Sequence, residues 1–369
     1  MHLTQSALTQ GINKLEYNLG HALFFRTPSG MTTTEVGELF LARVNRAFAQ
    51  LQEFAATLVA KDKAKRLSFI RSISSRQLNA LIHLVELESY TAAARRLGLS
   101  QPSLHRSIKD LEQYCEYPLF QRLPRGVEPS WRAKQLRRYA SLFFAELQQG
   151  LEEMDEFGGQ LNGSLRIGSL PLARSKIVPL AVLVLNEEYP DARISIVDGP
   201  YDEQLSNLLH GQLDVIVGAL RSPINNPDIV QRRLFNDQLS IVVKADHRLA
   251  KRERISAEEL QQLDWVAPAI STPARKVFSQ FFVSRGLTAP SHVIECSSLV
   301  AMRGILLNSE RAALLPARQV ALEVDAGLLA VCPMVLPDTD REIGLTMRIN
   351  WQPTQMQQRF LNIIEQTSK

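Results

Sequence analysis

Leu3 to Gly30 of this chain, LTQSALTQGINKLEYNLGHALFFRTPSG, lies without a gap over Leu99 to Gly126, LSQPSLHRSIKDLEQYCEYPLFQRLPRG, an offset of 96 residues. Leu3/Leu99, Gln5/Gln101, Leu8/Leu104, Ile12/Ile108, Leu15/Leu111, Glu16/Glu112, Leu23/Leu119, Phe24/Phe120, Arg26/Arg122, Pro28/Pro124 and Gly30/Gly126 are identical. Self-similarity at this level means that one structural unit is built twice, so a fold proposed for one copy must serve the other.

Each copy carries apolar residues at helical spacing: Leu8, Ile12 and Leu15 in the first, Leu104, Ile108 and Leu111 in the second. Ahead of the second copy, Arg76 to Leu87 places Leu78, Leu81, Ile82 and Val85 on one helical face, and the Ala-rich run Thr91 to Leu97 favours a helix that Gly98 ends as a C-cap glycine. Ser100 then stands at an N-cap position with Pro102 in the first turn, where its missing N–H goes unneeded. Two short helices, a tight turn and a third helix make a helix-turn-helix. The sequences FFRTPSGMTTTE and FQRLPRGVEPSW after the third helix of each copy predict a two-stranded hairpin, a wing.

A long helix is expected beyond each wing. Phe40, Val44, Phe48 (or Ala47), Leu51, Phe54 and Leu58 recur near every 3.5 residues in one, and Leu136, Tyr139, Phe143, Leu147, Leu151 and Met154 in the other. A stripe this narrow marks a pairing seam more often than a core face, and it is expected to join two chains. KDKAKR, Lys61 to Arg66, reads as the hinge between the copies.

With 369 residues the chain has room for two or three domains. Three widely spaced cysteines, Cys115, Cys296 and Cys332, argue against a disulfide framework and a zinc cluster. The N-terminus lacks a signal-peptide pattern, and the longest apolar run, Ile177 to Leu185, is about half of what a membrane span needs. A cytoplasmic protein with no membrane partner is expected. Charge is uneven: Lys61 to Ala145 holds sixteen Lys and Arg against seven Asp and Glu, a formal +9 beside +4 for the whole chain. That basic segment is either a solvated face or a polyanion-binding surface.

From Gly158-Gly159 onward strands and helices alternate. Ser164 to Gly168, Ala192 to Val197 and Leu213 to Gly218 read as strands, with helices at Ser175 to Glu188 and Tyr201 to Leu209 between them. This order implies a parallel sheet with helices on its faces. Leu239 to Val243 opens a second run with helices near Ala257 to Gln262, Ala274 to Arg285 and Leu299 to Leu307, and a last helix, Thr354 to Thr367, is expected to pack back on the first half. Two α/β lobes joined by crossing strands leave a cleft between them.

Arg76-Gln77-Leu78, Ala92-Ala93-Ala94-Arg95-Arg96-Leu97, LSQPSLHRSIKDLE and PLFQRLPRGV resemble the DNA-binding domain of LysR-type transcriptional regulators. GSLRIGS, VLNEEYPDARISIVDG, LHGQLDVIVGAL, VVKADHRLA and RAALLPARQV resemble that family's type-2 periplasmic-binding-protein-like effector domain, with IVDGPYDEQL and IVGALRSP nearest the galactose-binding-protein-regulator branch. The resemblance covers Ser74 to Ser368 in order, and the first copy resembles the same domain from its recognition helix onward. It implies an α+β multidomain chain: a truncated winged helix-turn-helix copy at 1–60, a full one at 72–132, a linker helix at 133–160 and a two-lobed effector-binding domain at 161–369.

A recognition helix enters the major groove with its N-terminal residues first, so Gln101, Pro102, Ser103, His105 and Arg106 are the candidates for base edges or nearby phosphates, and Lys109 for phosphate. Arg122 and Arg125 on the wing would lie along the backbone or minor groove. For the effector the resemblance implies a cleft near Ser169, Leu170, Pro171, Ala219, Ser271, Thr272, Ser297 and Ser298. Hydroxyls and free N–H groups at helix starts suit a carboxylate, although Thr272 and Ser298 are equally explained as caps. The effector is expected to be a sugar or an organic or aromatic acid. The family further implies promoter DNA, a homo-oligomer of dimer-of-dimers type and RNA polymerase as partners.

Two departures stand out. Met1 aligns with Leu97, so the first copy lacks the helices that would cover Leu8, Ile12 and Leu15; either translation starts upstream or the remnant packs elsewhere on the protein. At the wing exit the first copy keeps Thr34-Glu35-Val36-Gly37, whereas the second has Ser130-Trp131-Arg132-Ala133. No Walker, G-x-S-x-G, G-x-G-x-x-G or H-E-x-x-H sequence occurs and the histidines miss ligand spacings, so no catalysis, metal or cofactor is expected. The competing class is a small-molecule-binding or antagonist protein that has lost DNA recognition and acts through mixed oligomers.

Overall fold

The computed structural model describes residues 4–27, 30–59, 62–270, 272–334, 336–337 and 339–368. The first copy comprises α1 (Gln5–Leu19), the hairpin β1 (Phe24–Thr27) and β2 (Gly30–Thr33), and α2 (Glu35–Phe54). After α3 (Lys63–Ser72) the second adds α4 (Ser75–Leu87) and α5 (Tyr90–Leu97) before α6 (Gln101–Cys115), the hairpin β3 (Phe120–Arg122) and β4 (Val127–Pro129), and the long α7 (Trp131–Phe157).

The repeat extends to individual hydrogen bonds. Thr4 caps α1 by accepting from the Ala7 N–H, and Ser100 caps α6 by accepting from the Ser103 N–H. The Glu16 carboxylate accepts from the N–H groups of Leu23 and Phe24 at 2.8 and 3.1 Å; Glu112 accepts from Leu119 and Phe120 at 2.7 and 3.3 Å. Thr34 and Ser130 donate their N–H groups to the carbonyls of Leu23 and Leu119. An ionised acceptor tying the helix to the next segment makes a strong corner, which explains why identical glutamates hold both.

Support of the third helix differs between the copies. Leu104, Ile108 and Leu111 of α6 are buried with Leu78, Leu81 and Leu84 of α4. On α1 no residue is buried, and Leu8 and Leu15 are 53% and 41% exposed. The wing shows the same contrast. Gly126, at φ 100°, sits where a Cβ would come within 2.6 Å of the Glu88 carbonyl, whereas at Gly30 a Cβ would meet nothing within 4 Å.

Within the segment Lys61 to Arg66, which composition suggested as a hinge, the residues from Lys63 onward are helical. Asp62 caps α3, which starts at Lys63, and Phe69 from α3 packs against Phe54 with ring centroids 5.8 Å apart. Burial of Phe69 seats α3 on the core; Lys61 itself lies outside the described residues.

The expected seam exists, but it joins the two copies within one chain. Along α2 and α7, Phe40 meets Gly150, Arg43 meets Glu146, Phe48 meets Phe143 with ring centroids 5.4 Å apart, and Glu53 accepts from the Tyr139 hydroxyl at 3.2 Å. The partner number falls as the residue number rises, so the helices run antiparallel. Ala47, rather than Phe48, takes the innermost place, and Arg43 is buried in a seam that apolar spacing alone would have kept free of charge.

The second half has two lobes. β5 (Ser164–Ser169), α8 (Ile177–Glu188), β6 (Arg193–Asp198), α9 (Tyr201–Leu209), β7 (Val215–Ala219) and β8 (Ile229–Asp237) begin the first. The chain then crosses to β9 (Leu239–Lys244), α10 (Ala257–Gln261), β10 (Trp265–Ala267), α11 (Pro273–Val283), β11 (Val293–Glu295), α12 (Leu299–Leu307), β12 (Ala312–Pro316), α13 (Ala321–Asp325) and β13 (Leu329–Val331). It returns through β14 (Arg341–Arg348) and closes with α14 (Gln355–Thr367), whose Met356, Phe360 and Ile364 share a core with Ile177 and Ala181 of α8. The sheet orders are β6-β5-β7-β14-β8 and β11-β10-β12-β9-β13. The sheets are mixed rather than parallel, because β14 runs antiparallel to both β7 and β8, and β9 antiparallel to β12 and β13.

Candidate nucleic-acid interface and ligand cleft

At the start of α6, Gln101, Pro102, Arg106 and Lys109 are exposed, while Leu104, Ser107 and Ile108 turn inward. Ser103 is half-buried, its hydroxyl 2.9 Å from the Ser100 hydroxyl, so it serves the cap. His105 stacks on Tyr90 of α5 with centroids 3.7 Å apart, and burial followed by the nearby Arg122 charge lowers its pKa. His105, held flat on Tyr90, positions the helix start more than it projects from it. The Arg122 charge also reaches Tyr90, so the wing lies beside the recognition helix, with Arg122 and Arg125 both exposed. Docking of the wing comes from the Val127 N–H donating to the Glu88 carbonyl at 2.9 Å.

Charged residues that the sequence did not single out lock the two long helices to the second half. Arg43 donates to Glu153 at 2.8 Å, Glu146 at 3.0 Å, Gln149 at 2.9 Å and the Gln352 carbonyl at 3.1 Å. Burial alone would lower its pKa, but Glu153 and Glu146 outweigh burial and raise it. Arg46 pairs with Glu146 and donates to the Asn350 carbonyl, and Arg138 pairs with Asp228 at 2.6 Å. A residue-type pattern could not reveal this joint, because its partners come from three distant segments.

Topology places the cleft. In the first lobe β5, β6 and β7 are parallel and end at Ser169, Asp198 and Ala219; β8 ends beside them, with Arg341 opposite Asp237. In the second lobe β10 and β12 are parallel, and β9 begins at Leu239 opposite Pro316, the end of β12. The chain thus leaves one set of C-terminal strand ends and arrives at the other, and the two sets face the crossing where ligands of such folds bind.

Ser169 and Leu170 are buried there, Pro171 is exposed and Ala219 half-buried. Thr272 caps α11 through the Arg275 N–H and donates its hydroxyl to the Ala269 carbonyl; Ser298 caps α12 through the Ala301 N–H, with Ser297 exposed beside it. The Cys296 N–H bonded to the Ala267 carbonyl brings both helix starts to one edge, and Ser271 lies outside the described residues. Composition did not mark the arginines of this region. Arg221 lies 4.2 Å over the Tyr201 ring, Arg318 lies 4.7 Å over Phe235, and Arg341 pairs with Asp237 at 3.0 Å. Burial lowers the Arg221 pKa against the pull of Tyr201 and Asp202, with the Arg341 charge adding to the fall, while burial raises that of Asp237 against the pull of Arg341 and Arg318. Near the end of β5, Ser169 Oγ, Ser175 Oγ and Gln204 Oε1 are buried without a hydrogen-bond partner among the described residues.

Among the described residues no helix is long and apolar enough to cross a membrane, and no group of His, Cys, Asp and Glu is arranged to hold a metal. Residues 158–369 match the LysR substrate binding domain, and residues 1–38 and 75–134 each match the bacterial regulatory helix-turn-helix protein of the lysR family. The chain is 32% identical over 344 residues to the HTH-type transcriptional regulator GalR of Pseudomonas putida, covering 93% of this chain and 85% of that one. It is 27% identical to PcaQ of Agrobacterium fabrum over 76% of this chain and 91% of that one. Full-length CbnR solved with its target DNA has the same fold at a TM-score of 0.57 and 20% identity, all of it spanned by 80% of this chain. These relatives are regulators of transcription, and with both domains matched in order the chain belongs to the LysR family of DNA-binding transcriptional regulators, which join a winged helix-turn-helix to an effector-binding domain.

Proposed function

We propose that this regulator contacts promoter DNA through the start of α6 and the wing beside it. Gln101 and Arg106 read base edges, Pro102 and the Ser103 Cβ touch a thymine methyl, and Lys109, Arg122 and Arg125 bind phosphate or the minor groove. The observation that carries this reading is the exposure of Gln101, Arg106 and Lys109 on one helix face with the Arg122 charge beside it. His105 acts by fixing the helix on Tyr90. The chain divides at 1–60, 72–132, 133–160 and 161–369, works in the cytoplasm without catalysing a reaction, assembles with copies of itself and communicates with RNA polymerase. Because the linker seam is used within the chain, two chains already supply four heads.

The effector is a small organic acid. Arg221 and Arg318 stand at the crossing with aromatic faces behind them, and an aromatic or aliphatic carboxylate satisfies both kinds of surface. The unpartnered oxygens of Ser169, Ser175 and Gln204 await polar groups on the same molecule, and Thr272, Ser297 and Ser298 line the opposite edge. A buried polar atom left unpaired costs about 1–3 kcal/mol, so occupancy there is favoured.

Retention of promoter DNA at increasing salt tests the head. Arg106→Glu and Arg122→Glu are expected to remove salt-sensitive retention with the melting temperature unchanged; undiminished retention overturns the assignment and favours the antagonist class. For the cleft, a melting-temperature screen of the full chain with succinate, benzoate and galactose should show a rise with an acid that Arg221→Gln removes.

A further inference from the structure

We propose that one chain carries two DNA-reading helices, the second in a full head and the first in a shortened one, and that its operator is intrinsically asymmetric, with α6 reading one half-site through Gln101 and Arg106 and α1 reading the other through Gln5 and Gln10. The inference rests on the DNA-contact reading above and extends it to the first copy.

Two recognition helices read two half-sites when a twofold relation holds them, and an isologous interface requires equivalent residues to meet at its centre. The α2–α7 seam comes within one residue of that condition inside one chain. Under the repeat offset Ala47 corresponds to Phe143 and Phe48 to Phe144, and the aromatic contact at mid-seam is Phe48 on Phe143. The flanking contacts, Arg43 with Glu146 and Glu53 with Tyr139, pair residues on opposite sides of that centre. Each long helix carries its head by the same bonds, Thr34 to Leu23 and Ser130 to Leu119, with Glu16 and Glu112 bracing the corners. The relation between α2 and α7 therefore extends to α1 and α6.

In a pair made from two identical chains, both reading surfaces are the same. Here they have diverged. Gln5 matches Gln101, but Ser6 stands for Pro102, Ala7 for Ser103, Thr9 for His105, Gln10 for Arg106 and Asn13 for Lys109. Gln5, Ser6 and Gln10 are exposed, with Thr9 half-buried beside them, so the first turns of α1 present a reading face of their own. Gln bonds adenine through N6 and N7 and Arg bonds guanine through O6 and N7, so Gln10 and Arg106 choose different bases at equivalent positions, while Gln5 and Gln101 choose alike. The first head is also weaker in phosphate contact: Lys14 is exposed, but Arg26 is shared with Glu16 at 3.5 Å and with Asn13.

Selection of binding sequences from a randomised duplex by the full chain tests this, with native mass spectrometry of the selected complex. Two half-sites that agree under Gln5 and Gln101 and differ under Gln10 and Arg106 are expected, with one chain spanning both. Gln10→Arg should change preference in one half-site only and drive the selected sequence toward symmetry; Arg106→Gln should change only the other. Each wrong base should weaken binding about five- to a hundredfold. Both substitutions are at exposed positions, and an unchanged helical circular-dichroism signal shows that the helices carrying them persist. A symmetric selected site, or a sequence indifferent to Gln10→Arg while Arg106→Gln alters it, overturns the proposal and leaves the α6 assignment standing. Indifference to both overturns the contact assignments themselves.

Discussion

At the scale of single residues, His247 couples burial to protonation. His247 is 5% exposed, and its Nδ1 accepts from the Leu249 N–H at 3.1 Å, so that nitrogen carries no proton in the folded state. Burial lowers its pKa below the ordinary 6.5 and outweighs Glu310, which pulls the other way; burial lowers His105 and His210 as well. A lowered folded pKa means that the unfolded chain takes up protons first as pH falls. The stabilisation is then complete above the unfolded value and is lost progressively below it. Calorimetric melting between about pH 8 and about pH 5.5 should show a plateau followed by a fall that begins near 6.5, and His247→Gln, whose side-chain oxygen can still accept from Leu249, should shrink that fall. A melting temperature that rises on acidification contradicts the account. No spacing rule marks His247 in the sequence, because its burial depends on packing between segments far apart. Gln101, Arg106 and Lys109 were legible because their exposure follows from the helical period alone.

At the scale of elements, the paired helices α2 and α7 show how a repeat is kept in pattern and changed in detail. The equivalent of Phe54, which fills the core of the second head, is Gly150 on α7. A Cβ on Gly150 would come within 2.9 Å of Arg43 Cβ and 3.2 Å of Phe40 Cδ2, so this glycine makes room for the buried arginine and its carboxylates. Gly150→Ala gains up to about 1 kcal/mol of helix propensity but crowds atoms near the Arg43 backbone, where overpacking typically costs about 1–3 kcal/mol. A net fall in melting temperature is expected. Gly11→Ala on α1 gains the same propensity with nothing within 4 Å, so it should raise the melting temperature; the same sign for both disproves the packing argument. Element existence was legible wherever the period was strong, as at Tyr201–Leu209 and Leu299–Leu307, which form as read. Strand direction was not, since β14 reaches β7 and β8 from beyond the whole second lobe, and alternation along the chain carries no information about so distant a return. The seam was legible as a seam, but a stripe does not say whose stripe it faces; only the presence of its repeated counterpart in the same chain made an internal pairing available.

At the scale of the molecule, β8 runs from the crossing between the lobes to the long helix α7. Its end, Asp237, pairs with Arg341 at the crossing between lobes, and Asp228, just before its start, pairs with Arg138 of α7. β8 pairs with β14 from Ile229 to Asp237 with one register shift at Ile343/Gly344, so a ligand that alters the angle at the crossing is expected to shift Asp228 against α7. Such a ligand changes operator affinity only by binding one arrangement better than the other, typically by 1–3 kcal/mol, and by linkage the operator changes ligand affinity by the same factor. Asp228→Asn removes the charge at the α7 end of β8 and leaves the cleft untouched. With a ligand identified by the melting screen, operator affinity without ligand should stay within about twofold, since the exposed carboxylate contributes little by itself. The ligand-induced change should collapse toward unity, and titration of that ligand with and without operator should show the reciprocal effect collapse equally. If the variant keeps the full ligand effect, the signal travels instead through the Arg43 and Arg46 contacts with the 350–352 turn, and Arg46→Gln becomes the variant that loses it.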